Sequence, residues 1–209
     1  MSAPLTLRQA VPADAAALTD ICIRTGHRGQ DARGVYREPT LLAAMYLQPY
    51  LLLEPEWCWV IADDDRPQGY LVGTPDTERF AQRAEAQCWP ALRAQHPLPP
   101  DSDASLQARL TRVLHAGPIA PQPFHASHPA HLHIDLLPAA QGRGHGARLL
   151  ATFTEALVAG GVAGVHLGVS AQNPKAIAFY RREGFETLLD GGWGLWMGRR
   201  TVRATPATP

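Results

Sequence analysis

Residues 131–150 constrain the fold more than any other part of this chain: His131-Leu-His-Ile-Asp-Leu-Leu-Pro-Ala-Ala-Gln-Gly-Arg-Gly-His-Gly-Ala-Arg-Leu-Leu150. The apolar run from His131 to Leu137 reads as a strand, and Pro138 ends it because proline has no N–H for a ladder. A glycine-rich turn follows, Gln141 to Gly146. Ala147, Leu149, Leu150, Phe153 and Leu157 then recur at helical spacing. Strand, tight turn and helix N-terminus in that order make an anion site. The first helical turn has unpaired N–H groups, and the macrodipole adds roughly half a positive charge there. Gly142, Gly144 and Gly146 would let main chain approach a bulky phosphate. The bland alternative is a flexible connection.

The two familiar nucleotide loops fit poorly. The turn is G-x-G-x-G rather than G-x-G-x-x-G, and Ala147-Arg148 stand where a Walker loop needs Lys and Ser or Thr. Gln141-x-x-Gly144-x-Gly146 instead resembles motif A of the GNAT acetyltransferases. That resemblance implies a loop holding the pyrophosphate of acetyl-CoA on Gln141, Gly142, Arg143, Gly144, His145 and Gly146. The pantetheine arm would pair with main chain near Leu136 and Leu137.

Around this unit the chain reads as α/β. Leu5–Gln9 suits a strand, and a helix runs from Pro12 and Asp14 to about Thr25. Gly26–Pro39 is a long loop of the kind that often carries function. Thr40 caps a helical segment, Leu41–Leu47, which Pro49 ends. Trp57–Ala62 and Gly69–Gly73 form a hairpin around Asp63-Asp-Asp-Arg-Pro67. Asp76–Gln95 has one helical stripe of Phe80, Ala84, Cys88 and Leu92. A further helix covers Ala104–His115 between proline-rich links, so residues 76–129 resemble an insertion between two strands. Gly164–Ser170 is a strand. Asn173 and Pro174 open a helix to Glu183, closed by Gly184. Phe185 starts another strand, Trp193–Arg199 is the last, and 201–209 is expected to be a disordered tail.

Two constellations carry chemistry. His131, His133 and Asp135 fall at period two and share one strand face, opposite Leu132, Ile134 and Leu136. Ionisable groups on a central strand need partners or water, so this face is a hydrogen-bonded structural network or a polar cleft. Two histidines and an aspartate at this spacing are not a zinc signature, and no metal is expected. The second constellation is the helix from Asn173. Tyr180 lies almost two turns along on the same side, where a tyrosine is core or catalyst. Asn173-x-x-Ala176-x-x-Phe179-Tyr180-x-x-x-Gly184-Phe185 resembles GNAT motif B. The resemblance implies that Asn173, Ala176, Phe179, Tyr180 and Arg182 meet the coenzyme, and that Tyr180 can protonate the departing thiolate. A phenol with pKa of about 10 suits a thiol leaving group.

A closer resemblance spans roughly residues 20–198. Trp57–Ile61, Gly69–Asp76, Trp89-Pro90, Phe124–Pro129 running into His133–Asp135, and Phe179-Tyr180 are similar to the C-terminal acetyltransferase-like domain of animal O-GlcNAcase. This implies that Asp135, Asn173 and Tyr180 occupy active-site positions. The animal domain lacks an intact glycine loop, which this chain keeps. It has an acid where Asn173 stands, so base work at that position is not available here. No glycosidase domain is expected with it, so glycoside cleavage is not expected.

Nineteen basic and nineteen acidic residues cancel, and no Lys/Arg run marks a nucleic-acid surface. A neutral chain sets up no long-range field for a basic histone tail, although Asp63–Asp65 is a local acidic patch. Cys22, Cys58 and Cys88 read as buried thiols of a reducing compartment. No signal pattern or bilayer-length apolar run is present, so a cytoplasmic monomer or homodimer is expected. The combined expectation is one α/β GNAT domain over residues 1–200, with a mixed, mostly antiparallel sheet splayed between strands 131–137 and 164–170 and flanked by helices. It would move acetyl from acetyl-CoA to an unidentified primary amine by direct attack. Asp135, alone or through water with His133, would take the amine proton, and Tyr180 would serve the thiolate. The alternatives are a catalytically inactive acetyl-CoA-binding sensor and, more weakly, a structural interaction domain.

Overall fold

The computed structural model describes residues 5–117 and 120–201. The expected tail beyond Thr201 and residues 118–119 of the second proline-rich link lie outside them. Seven strands form one sheet: β1 (Thr6–Gln9), β2 (Cys58–Asp63), β3 (Arg66–Thr74), β4 (Ala130–Leu136), β5 (Gly164–Ser170), β6 (Glu186–Asp190) and β7 (Gly194–Arg200), in the order β1-β2-β3-β4-β5-β7-β6. Antiparallel pairing joins β1 through β4, and again β5, β7 and β6. The two blocks meet through the parallel β4–β5 pair, which holds only at Ala130↔Val165 and His131↔His166. Past that point the strands diverge, so the sheet is mostly antiparallel and opens where the sequence places the splay.

Eight α-helices flank the sheet among the described residues. α1 (Ala15–Thr25), α2 (Thr40–Tyr46), α3 (Gln48–Leu53) and α4 (Thr77–Gln87) cover one face. α5 (Trp89–Gln95) and α6 (Leu106–His115) complete the segment between β3 and β4. α7 (His145–Ala159) and α8 (Pro174–Arg182) cover the other face. There Leu149, Leu150, Phe153 and Leu157 of α7 are fully buried against Leu132, Val165 and Leu167. Each such side chain contributes about 1.5–3 kcal/mol relative to exposure. Gly73 makes the close approach possible, because a Cβ there would lie 2.6 Å from the Phe153 ring.

Prolines account for the main departures from the sequence expectations. Pro49 does not end the second helical segment; it stands in the first turn of α3, where its missing N–H costs nothing. Thr40 is the first residue of α2 rather than its cap, which is Pro39. The stripe at 76–95 breaks at Cys88 into α4 and α5, with Pro90 again in a first turn. Pro67 lies within β3 rather than in the turn, because the register slips between Ile61 and Ala62 and leaves it opposite Ala62. A bulge is where a strand tolerates proline.

Candidate functional site

The glycine turn leaves a row of free donors. Gly142 and Gly144 have φ of 73° and 78°, a left-handed conformation that costs other residues about 1–2 kcal/mol each. A Cβ on either would meet nothing within 4 Å, so the constraint is conformational and the space beyond is open. Gly144 is the N-cap of α7 and carries no side-chain cap. Among the described residues, no main-chain N–H from Gly142 to Ala147 donates to a protein acceptor. His145 Nδ1 is also buried without a partner. Arg143 is exposed beside this turn. Gly146 is tight for a different reason: a Cβ there would come within 3.2 Å of the Phe179 ring and 3.3 Å of Leu136. α8 is thereby held against the first turn of α7. Arg182, one turn past Phe179, is exposed on that side.

The turn sits at the end of β4, next to the gap. Leu137 N–H donates to Gln68 O at 2.9 Å, on the β3 side, and Leu137 O accepts from Ala140 N–H at 2.8 Å. Both main-chain groups of Leu137 are therefore engaged, contrary to the expectation that they face the coenzyme. Main-chain groups alternate in direction along an antiparallel pair, so those of Leu136 and Ile134 point towards β5 and the gap. Gln141 Nε2 donates to Leu136 O at 2.8 Å, tying the motif A glutamine to that edge and leaving the Leu136 N–H towards the opening.

His131, His133 and Asp135 share the opposite sheet face from Leu132, Ile134 and Leu136, as the period-two pattern requires. Tyr70 of β3, directly across from Asp135, donates its hydroxyl to Asp135 Oδ2 at 2.6 Å. Burial holds the Asp135 carboxyl above the usual carboxylate range, opposed by the hydrogen bond from Tyr70. His131 is locked in a network. The Thr77 hydroxyl donates to Pro129 O, so it accepts from His131 Nδ1 at 2.7 Å. Nε2 is then the acceptor for the Tyr50 hydroxyl at 2.6 Å. His131 is the structural-network member of the triplet. His133 lies between the rings of Tyr46 and Tyr50, 5.7 and 5.5 Å away, and burial lowers it to about 4, a neutral imidazole at physiological pH. Among the described residues no group of three or more His, Cys, Asp and Glu could hold a metal ion.

Across the gap, Asn173 caps α8, its Oδ1 accepting from Ala176 N–H at 3.2 Å. Tyr180 is buried among Phe179 and Phe185. Burial first, then the Asp135 charge, raises its phenol well above the ordinary value. Tyr180 thus stays protonated and lies within electrostatic reach of Asp135. The long loop after α1 closes on the same place. His27 and Gln30 exchange main-chain bonds around Arg28 and Gly29, both at positive φ, a type I′ turn. A Cβ on Gly29 would lie 3.4 Å from Asn173 Nδ2.

Residues 110–185 match the model of the Acetyltransferase (GNAT) family. The crystal structure of SsHAT is 39% identical, with a TM-score of 0.90 over 96% of this chain and 100% of that one. The chain belongs to the GNAT acetyltransferase family. A GNAT-like fold also relates it to the PaiA N-acetyltransferase of Thermoplasma acidophilum in complex with coenzyme A, at 14% identity and a TM-score of 0.60 over 95% of this chain and 99% of that one. Protein O-GlcNAcase of Rattus norvegicus is 23% identical over 181 residues, which is 86% of this chain and 20% of the relative. The chain therefore spans about a fifth of the length of the curated relatives it matches.

Within the GNAT fold, the glycine turn follows β4 and packs against α8 where Gly146 meets Phe179, while Asp135 lies on the β4 face that Tyr70 covers and Tyr180 on the face of α7 and α8. Tyr46, Tyr50, Tyr70 and Cys22, which hold the polar face of β4, carry no local sequence signal. The only hint of them is that three ionisable groups on a central strand demand partners. No helix among the described residues is long and apolar enough to cross a membrane.

Proposed function

We propose that this chain is an acetyl-CoA-dependent N-acetyltransferase acting on a primary amine by direct attack. The observation that carries the reading is the run of N–H groups from Gly142 to Ala147 without a protein acceptor, beside the place where β4 and β5 part. Main-chain donors at a helix N-terminus suit a diphosphate. The relatives support the same coenzyme: the PaiA enzyme is described in complex with coenzyme A, and a putative acetyltransferase of Salmonella typhimurium with acetyl-CoA. Gly142, Gly144 and Gly146 would hold the diphosphate with Gln141, Arg143 and His145 around it. The Leu136 N–H would pair with the pantetheine arm, and Asn173, Ala176, Phe179 and Arg182 would border it.

In the reaction, the amine nitrogen bonds to the thioester carbonyl carbon and the C–S bond breaks. Asp135, directly or through water beside His133, accepts the amine proton. Tyr180 donates to the thiolate sulfur. A covalent acyl-cysteine route has little support: Cys22, the thiol nearest Asp135, is pushed up to about 12 by burial first and the Asp135 charge second, so it holds its proton. Much of the acceleration would come from holding amine and thioester together. The rival, a coenzyme-binding sensor, is favoured by the Gly29 turn, which closes the loop expected to shape the acceptor side down onto Asn173. Calorimetry with acetyl-CoA, followed by thiol-release assays over small amines, aminoglycosides and peptides, separates the two. Binding with turnover supports the transferase, binding without turnover for any amine supports the sensor, and no binding rejects both.

A further inference from the structure

We propose that Tyr70 is a positioning residue for this reaction, holding the Asp135 carboxylate in its charged, proton-accepting form and fixed orientation; this rests on the transferase reading. Tyr70 is wholly buried, with 0% of its surface exposed, in the middle of β3, where phenylalanine would fill the same space. A buried hydroxyl needs a partner, and among the described residues its acceptor is Asp135 Oδ2. Among the described residues no cation pairs with the carboxylate. The groups facing it are the Cys22 thiol and Thr25 hydroxyl of α1, the neutral His133 ring on its own strand, and the Tyr180 phenol across the gap. With every neighbour uncharged, the state of Asp135 depends on hydrogen bonds, and Tyr70 supplies one at 2.6 Å, whereas the Thr25 hydroxyl donates to Ile21 O. Tyr70 cannot compete for the proton, since burial and Asp135 keep its own phenol protonated. The bond also fixes which oxygen is occupied: Oδ2 faces Tyr70, which leaves Oδ1 for the amine or a water.

The test is a carbon-13 NMR titration of protein labelled at aspartate Cγ, with the Asp135 signal assigned from Asp135→Asn. Removing a hydrogen bond to a charged group moves a pKa by about one to two units. In Tyr70→Phe the Asp135 midpoint should therefore rise by about that much, with acetyl-CoA affinity within about twofold of the parent. The acidic limb of turnover should rise with it. Replacing Tyr70 by a fluorinated tyrosine, a stronger donor of nearly the same shape, should move the midpoint the other way, and it covers the case in which Tyr70→Phe does not fold. An unchanged midpoint in either folded variant overturns the inference, as does a shifted midpoint with an unmoved turnover limb. Failure of the parent protein to bind acetyl-CoA would reject the transferase reading instead, which the calorimetry reports separately from the titration.

Discussion

The two lips of the gap are built in different ways. The coenzyme lip is local: β4, the glycine turn and the start of α7 lie within twenty consecutive residues, and α8 is pinned to them where Phe179 meets Gly146. The acceptor lip is assembled from far apart. Tyr70 reaches Asp135 across 65 residues, Tyr50 reaches His131 across 81, and Thr77 reaches His131 across 54. An anion grip needs only main-chain donors in a fixed conformation, which a short glycine pattern can specify. A tuned carboxylate needs side chains from several elements, which only packing brings together.

The comparison breaks most sharply at Asp135. Asp135→Asn should lower turnover by about 10²–10⁴-fold while acetyl-CoA affinity stays within about threefold, measured by thiol release and calorimetry. Equal losses in both would mean that the lips are not functionally separate. On the other lip, Gly144→Val forces a β-branched residue to positive φ. Acetyl-CoA affinity should fall by about tenfold to a hundredfold, and Tm by only a few degrees, because the cost is conformational and no atom crowds the new side chain. Undiminished affinity would remove the amide row from the account.

Sequence legibility divides along the same line. The strand, turn and helix at 131–157 and the Asn173 cap are readable because each rests on neighbours in the chain, whereas the splay between strands 131–137 and 164–170 is implied by the family resemblance. The second turn of helix beyond Pro49 and the break at Cys88 are not, since a proline in a first turn and a proline that ends a helix look alike until the chain direction is known. Tyr46, Tyr50 and Tyr70 are invisible for a deeper reason. Their role depends on which strand and helix lie over β4, and nothing near residues 46, 50 or 70 encodes that. Leu137 illustrates the limit at the site itself. Whether it or Leu136 faces the gap is decided by pairing with Gln68.

Tyr180→Phe gives a smaller effect that touches both lips. Thiolates leave readily, so loss of the donor should slow turnover by about tenfold, or about 1.4 kcal/mol, with unchanged coenzyme affinity. No loss of turnover would end the acid role. The mildest test uses stability. His133 and His166 are lowered to about 4, chiefly by burial, and His131 lies well below its ordinary value for the same reason. Unfolded, these rings take up protons near pH 6.5, which folded His133 and His166 refuse until about 4 and folded His131 refuses until well below its ordinary value. Their contribution is full above about 6.5 and is lost as pH falls towards 4. Asp135 acts oppositely, since its raised carboxyl favours the fold below the unfolded value of 3.8 and loses that contribution as pH rises. Three rings against one carboxyl predict a Tm that declines from pH 6.5 to 4.5. A flat Tm would show that the acceptor lip is wetter than its packing implies.

The central claim is that main-chain N–H groups at the head of α7 hold the acyl carrier so that its thioester lies where β4 and β5 part. A crystal structure of the protein grown with acetyl-CoA tests it directly. Diphosphate oxygens should lie within about 3.2 Å of the amides between Gly142 and Ala147, and the acetyl group within reach of Asp135 and Tyr180. A carrier bound elsewhere, or none bound at saturating concentration, would contradict it.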